Sequence, residues 1–293
     1  MISIIICSID NKNFDQVAQS IMATIGVEYE IIRIENTITN YGICKAYNLG
    51  ANRAKNPYLC FIHEDILFKS DNWGLEIIRF FEQHKNIGVI GIAGSAHKSL
   101  VPSTWNQGLY ATDHFNLIQH YNDSVTLDTT KSADQFSEVK TLDGVFLFTT
   151  KETWLKNNFD EITFDKFHCY DLDFCIQVGQ KAKLFVFNDM LIEHFSSGSL
   201  NKDWVHYSIK LSEKWKHILP VSDLTKKQQK EIEWRNRKIF LLRMNILGYP
   251  FIGILKVFLK WNFIRNTSFV KLVSFFYTVI GQKFKLIKKK PLY

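Results

Sequence analysis

Three short clusters of ionisable residues stand out: His63-Glu64-Asp65, where the chain leaves an apolar run; Tyr170-Asp171-Leu172-Asp173, a short loop after Phe159-Asp160-Glu161; and Glu193-His194, where the chain again leaves an apolar run. The first directly follows Tyr58-Leu-Cys-Phe-Ile62, so its side chains fall at a rim and not in a core. A carboxylate there can hold a hard divalent ion beside a diphosphate, and Asp65 is the preferred ligand. A pair of acids that solvates a loop and caps the next helix would have the same sequence. In the second cluster, acids at i and i+2 do not share a helix face, so their roles must differ. Asp171 is placed to take a proton from a hydroxyl as general base; an ordinary helix N-terminus is the alternative. In the third, an imidazole at a strand end can complete a carboxylate-bound metal site or hold a phosphate. The small residues Ser196-Ser-Gly-Ser199 after it leave backbone N–H groups for an anion. A structural histidine is the competing account.

Single residues extend these clusters. Glu35, ending an apolar segment, can accept hydrogen bonds from a base or ribose hydroxyl, or simply be exposed. Asp143 precedes Gly144, whose missing side chain would let a sugar approach the backbone; a bulge explains the glycine equally well. Trp105, Tyr110 and Trp204 could stack on sugar faces or serve as packing.

The elements that must position these residues are read from periodicity. Ile2 to Ser8 is a continuous β-branched run, the pattern of a parallel strand covered on both faces. Further strands are expected at Tyr29 to Glu35, Tyr58 to Ile62, Ile87 to Ala93, Thr141 to Thr149, Lys183 to Phe187 and Ile192 to His194. Helices are expected over Phe14 to Thr24, Ile43 to Ala54, from an Asp71 cap to Phe81, and over Asp171 to Gly179. Residues 100–134 read as a long irregular loop over a site. Alternating strands and helices imply an α/β fold with a mostly parallel, doubly wound sheet. Ligands of such sheets bind beyond the carboxyl ends of the strands. Ser8 to Asn11 (with Asp10), Glu35 and Asn36, and His63 to Asp65 would therefore border one crevice. No glycine-rich fingerprint follows the first strand, which argues against a dinucleotide site or a P-loop.

The net charge of +7 is unevenly distributed. From Leu224 onward sixteen Lys and Arg face two Glu, and the residues before carry a net −7. A basic tail rich in Phe, Trp, Ile and Leu suits an anionic lipid surface better than nucleic acid. Five cysteines without C-x-x-C spacing indicate neither a zinc site nor a disulfide framework, and their apolar settings fit a reducing compartment.

Over about residues 1 to 215 these features resemble the family 2 glycosyltransferases and their GT-A relatives. The opening Ile2-Ser-Ile-Ile-Ile-Cys-Ser-Ile-Asp10 is similar to that family's first strand. The run from Gly42-Ile-Cys-Lys-Ala-Tyr-Asn-Leu-Gly50 to Asp65 is similar to its stretch leading into D-x-D. Asp143-Gly144, Phe159-Asp160-Glu161 and Tyr170-Asp171-Leu172-Asp173 resemble its acceptor-side pattern. The resemblance implies a GT-A nucleotide-diphospho-sugar transferase fold. Residues 1–220 would form the catalytic domain, with a nucleotide-sugar half (1–99) and an acceptor half (100–220). It implies a nucleotide-diphosphate sugar donor and a glycan or lipid-linked acceptor. Mn²⁺ or Mg²⁺ would sit on Asp65 with help from His194. Ser8, Asp10, Glu35, His63 and Glu64 would line the donor, and Asp143, Gly144, Tyr170 and Trp204 the acceptor. Asp171 would be the base of an inverting displacement. Two positions depart from the family pattern: His63 stands where the first acid of D-x-D is usual, and Tyr170 replaces the glutamate before the base.

Residues 221–293 read as a basic amphipathic helical appendage. Lys256 with Lys260, and Lys271, Ser274 and Thr278, form narrow polar stripes beside Phe251, Ile252, Leu255, Phe258, Leu259, Phe275, Phe276 and Ile280. No stretch approaches the roughly 20 apolar residues of a spanning helix. The expectation is a cytoplasmic protein, peripheral at the inner face of a membrane, with Lys285 to Lys290 near anionic headgroups. Packing of these faces on the body or in a homo-oligomer is the alternative. The competing function is a noncatalytic sugar-nucleotide-binding or membrane-scaffold protein of the same fold. A nucleotidyltransferase ranks lower, because its glycine-rich basic loop is missing.

Overall fold

The computed structural model describes residues 1–108, 112–121, 124–130, 132–196, 198–260, 273, 276–278 and 281. Tyr110, Ser197, Lys271, Ser274, Phe275, Ile280 and Lys285 to Lys290 lie outside the described residues.

The first third of the chain alternates as expected: β1 (Ile2–Ser8), α1 (Asn11–Thr24), β2 (Tyr29–Glu35), α2 (Ile43–Arg53), β3 (Tyr58–Ile62), β4 (Ile66–Phe68) and α3 (Trp73–Gln83). There follow β5 (Ile87–Gly91), β6 (Ala93–Ser95), β7 (His97–Lys98), β8 (Asp113–Tyr121), β9 (Ser124–Thr129), β10 (Phe136–Val139), β11 (Thr141–Leu142) and β12 (Phe146–Thr150). The chain continues through α4 (Lys151–Lys156), α5 (Tyr170–Gly179), β13 (Lys183–Phe187), β14 (Ile192–His194), α6 (Lys202–Lys214), β15 (Val221–Ser222), α7 (Lys226–Ile246) and α8 (Phe251–Lys260).

The main sheet has the order β10-β13-β5-β12-β3-β1-β2. Neighbouring β2, β1 and β3 are parallel, as are β5 and β13, whereas β12 and β10 run against their neighbours. The apolar run of β1 reflects double coverage. Ile5 faces one core, with Tyr47 of α2 and Leu172 of α5, while Ile2, Ile4 and Ile6 face the other, with Val17 of α1 and Ile77 of α3. Because β12 pairs between β3 and β5, residues before and after position 99 share one sheet.

A second sheet, β11-β6-β8-β14-β4 with β9 on β8, stands beside the first. It explains three differences from the expected elements. The segment Ile87 to Ala93 leaves the main sheet after Gly91, so that Ala93–Ser95 pairs in the second. Thr141 to Thr149 likewise divides at Asp143-Gly144-Val145, with β11 in one sheet and β12 in the other. The stretch 100–134 contains the hairpin β8–β9, whose polar, half-exposed faces conceal its period-2 pattern. A fourth difference concerns α3: Asn72, in the left-handed region at φ 58, is the N-cap in place of Asp71.

The tail helices join the body. Phe240, Leu241 and Met244 of α7 and Ile254 and Phe258 of α8 form a core with Trp204 and Val205 of α6. On the face predicted to be apolar, Leu255 and Phe258 pack inward, whereas Ile252 and Leu259 stay 60% and 54% exposed. Polar bonds reinforce the docking. Glu233 accepts from Leu100 N at 2.8 Å, and Asn236 donates to Ser99 and Gln107. No helix among the described residues is long and apolar enough to cross a membrane.

Candidate active site

The carboxyl end of β3 delivers His63, Glu64 and Asp65 to the rim, and the second sheet brings His194 to meet them. β14 pairs antiparallel with β4 so that His194 lies opposite Ile66, and Phe195 N donates to Asp65 O at 3.0 Å. This register sets His194 Nε2 3.7 Å from Asp65 Oδ1. His63 Nδ1 lies 3.8 Å from the same oxygen. One ligand atom from each of His63, Asp65 and His194 falls within 4.8 Å of the other two.

Three observations bear on whether a cation fits this trio. His194 Nε2 is buried without a hydrogen-bond partner, a costly state for a polar atom unless something else occupies it. Its other nitrogen, Nδ1, faces Gln119 Oε1 at 3.2 Å, while the Gln119 amide nitrogen donates to the carbonyls of His194 and Ser196. Nδ1 must therefore carry the proton, which leaves the Nε2 lone pair aimed at Asp65. Burial holds the His63 imidazole below its ordinary pKa, against the opposing pull of Asp65, and so favours the neutral form that binds metals. Two imidazoles and one carboxylate make a donor set suited to Mn²⁺ or another first-row ion and poorly matched to Mg²⁺, which prefers an all-oxygen shell.

Asp171 opens α5, where its Oδ2 accepts from Gly144 N at 3.1 Å. Burial, and then the nearby charge of Asp143, raise its pKa to about 7. Asp173, two residues on, does different work. It is buried among Lys214, Trp215 and Gln177 at 2.7 to 2.8 Å and ties α5 to α6. The remaining acceptor-side motif is also scaffolding: Asp160 caps Thr163 and pairs with Lys214, and Asn48 clamps Phe159 through both backbone groups.

Several sequence-predicted residues take positions that differ from the expectation. Trp204 is 6% exposed and packs on Phe240, so stacking on a sugar is ruled out by burial. Tyr170, at 3% exposed, is likewise no contact surface; its hydroxyl lies 2.7 Å from His63 Nε2 and donates to Gly144 O at 2.9 Å. Gly144 makes room for that hydroxyl and not for a sugar, since a β-carbon there would collide with the Tyr170 ring. Asp143 Oδ1 caps the turn at Val145 N. Glu64 accepts from Ile9 N and Asp10 N at 3.0 to 3.3 Å, fastening the loop after β1 to the loop after β3. Asp10 caps α1 through Asn13 N, Ser8 accepts from Arg33 at 3.1 Å, and Glu35 stays exposed at the end of β2.

Three residues near the site escaped the sequence reading. Gln119 orients His194 from the adjacent strand, and the weak periodicity of β8 gave no signal for it. Arg33 reaches Ser8 and Asn11 over the Phe14 ring, at the strand end expected to border a donor. Phe167, 52% exposed, rests against His63 with ring centroids 5.5 Å apart.

Residues 3–220 match the model of a family described as "Glycosyltransferase like family". A search of curated proteins finds no match. Among solved structures, S. aureus TarS 1-349 in complex with UDP-GlcNAc is 13% identical, with a TM-score of 0.51 over 98% of this chain and 83% of that one. GalNAc-T7 with UDP, GalNAc and Mn²⁺ is 10% identical, with a TM-score of 0.52 over 97% of this chain. The chain spans 56% of GalNAc-T7 and 49% of a longer TarS structure. These likenesses show the fold, and the family match shows the membership: the chain has the GT-A fold and belongs to the glycosyltransferase-like family.

Proposed function

We propose that the protein moves a sugar from a nucleotide-diphosphate donor to a hydroxyl of a glycan or lipid-linked acceptor, assisted by a divalent cation on His63, Asp65 and His194. The observation that carries the reading is the unpartnered Nε2 of His194, buried and aimed at Asp65 Oδ1. UDP in the TarS and GalNAc-T7 structures, and Mn²⁺ in the latter, support a nucleotide donor and a metal of this kind. A bound cation would act as a Lewis acid, stabilising the charge that develops on the departing diphosphate. Ser8, Asp10, Glu35 and Arg33 border the strand ends where the nucleoside would lie, and Glu64 holds their loop in place.

Asp171 is the base. A carboxylate held at about 7 is half ionised near neutral pH and is basic enough to accept a proton from a hydroxyl as that oxygen attacks. Gly144 N fixes Oδ2 and so orients the carboxyl. A base that activates the acceptor hydroxyl for direct attack corresponds to a single inverting displacement. Residues 1–220 form the catalytic unit in this reading. The tail beyond it lies on the inner face of a membrane through Ile252, Leu259 and the basic C-terminus, which would bring lipid-linked acceptors to the site.

The test is hydrolysis and transfer across a panel of nucleotide sugars with Mn²⁺ present. One donor should be consumed, and Asp65→Ala should abolish its consumption. Silence across the panel with donor binding intact would instead favour a noncatalytic sugar-nucleotide-binding protein.

A further inference from the structure

Tyr170 Oη lies within hydrogen-bond distance of two groups, His63 Nε2 at 2.7 Å and Gly144 O at 2.9 Å. A carbonyl only accepts, and a phenol has a single proton. Both contacts are satisfied in one arrangement: Tyr170 donates to Gly144 and accepts from His63. The imidazole proton must then sit on Nε2. Nδ1, the nitrogen that faces Asp65, is left with its lone pair bare.

We propose that Tyr170 is a positioning residue that locks His63 in the Nε2–H tautomer and thereby reserves Nδ1 for the cation; this rests on the metal reading above. The hydroxyl has little freedom to let go. Its ring is buried in edge and tilted contact with Tyr47 and Phe159, at 5.7 and 6.2 Å between centroids. The absent side chain of Gly144 leaves the space that the phenol fills. Gln119 does the same for His194 from the neighbouring strand β8, with the proton on the other nitrogen. Two imidazoles held by separate partners thus turn lone pairs toward one carboxylate, as pre-organised metal ligands do. Gly144 is also shared: its carbonyl anchors the Tyr170 lock, and its N–H holds Asp171. The ligand His63 and the base are therefore both positioned from one residue.

The test uses the full chain without nucleotide. Titration with MnCl₂ by calorimetry should show binding to the wild type, none to Asp65→Ala, and a roughly 10- to 100-fold weaker affinity for Tyr170→Phe, which keeps the ring and loses the hydroxyl. Nitrogen-resolved NMR of the metal-free wild type should show His63 as the Nε2–H tautomer, and Tyr170→Phe should show a mixture. An Nδ1–H tautomer in the wild type overturns the lock. So does wild-type affinity in Tyr170→Phe when Asp65→Ala has lost binding, and the metal reading then stands. A wild type that binds no Mn²⁺ overturns both.

Discussion

Tyr170 and Gly144 occupy one space between them: the phenol fills the volume in which a β-carbon on Gly144 would have to sit, and its hydroxyl donates to the Gly144 carbonyl. The glycine is therefore set by the tyrosine. Gly144→Ala should force the ring out of its packed position and cost about 1 to 3 kcal/mol, as overpacking does. Chemical denaturation measures this directly. Unchanged stability would show that the ring has room to retreat.

The pH profile should report Asp171. Below about pH 7 the carboxyl holds its proton and cannot accept another, so kcat/KM should rise with pH and level off above that value. The stability effect has the opposite sense. The ordinary value is 3.8, so between about pH 4 and 7 the folded chain binds more protons here than the unfolded chain, and stability falls as pH rises. Asp171→Asn removes the buried charge and keeps an oxygen for Gly144 N. At pH 8 it should be inactive and more stable by on the order of 2 to 4 kcal/mol, with little gain at pH 4.

Trp204 should behave as a core residue. Trp204→Ala opens the contact between α6 and α7 and should cost about 3 to 5 kcal/mol. KM for the acceptor should stay near the wild-type value in the fraction that remains folded. A large rise in KM without loss of stability would restore the sugar-stacking role.

Among the described residues of the tail, α8 exposes Ile252 and Leu259, which the proposed reading sets against a lipid surface. Deleting the tail would also strip the cover from Trp204 and Val205, so single substitutions are the cleaner probe. Ile252→Glu and Leu259→Glu should each weaken binding to anionic vesicles several-fold and leave thermal stability unchanged. Equal vesicle binding would show that this face does not enter the lipid.

β1 and β3 were legible because double coverage makes them continuous apolar runs, and β2, β13 and β14 likewise begin and end where the pattern predicts. The second sheet was not legible. β6 and β11 continue apolar runs without a break in composition, and the switch between sheets at Ile92 and at Asp143-Gly144-Val145 is a tertiary event that local periodicity does not record. The chemistry followed the same division. Asp65 and His194 were visible as an acid and an imidazole after apolar runs, and Asp171 as an acid at a helix start. Their partners were not, because Gln119 and Arg33 look like ordinary strand polars. The two departures from the family pattern, His63 and Tyr170, are 107 positions apart and meet in one hydrogen bond.

The direct measurement for the central claim is pulsed electron paramagnetic resonance of Mn²⁺ added to the protein, with histidine labelled by nitrogen-15. The geometry predicts coupling to two imidazole nitrogens, falling to one in His63→Ala and one in His194→Ala. A spectrum of fully hydrated Mn²⁺, or one that neither substitution changes, would contradict a cation held between His63, Asp65 and His194.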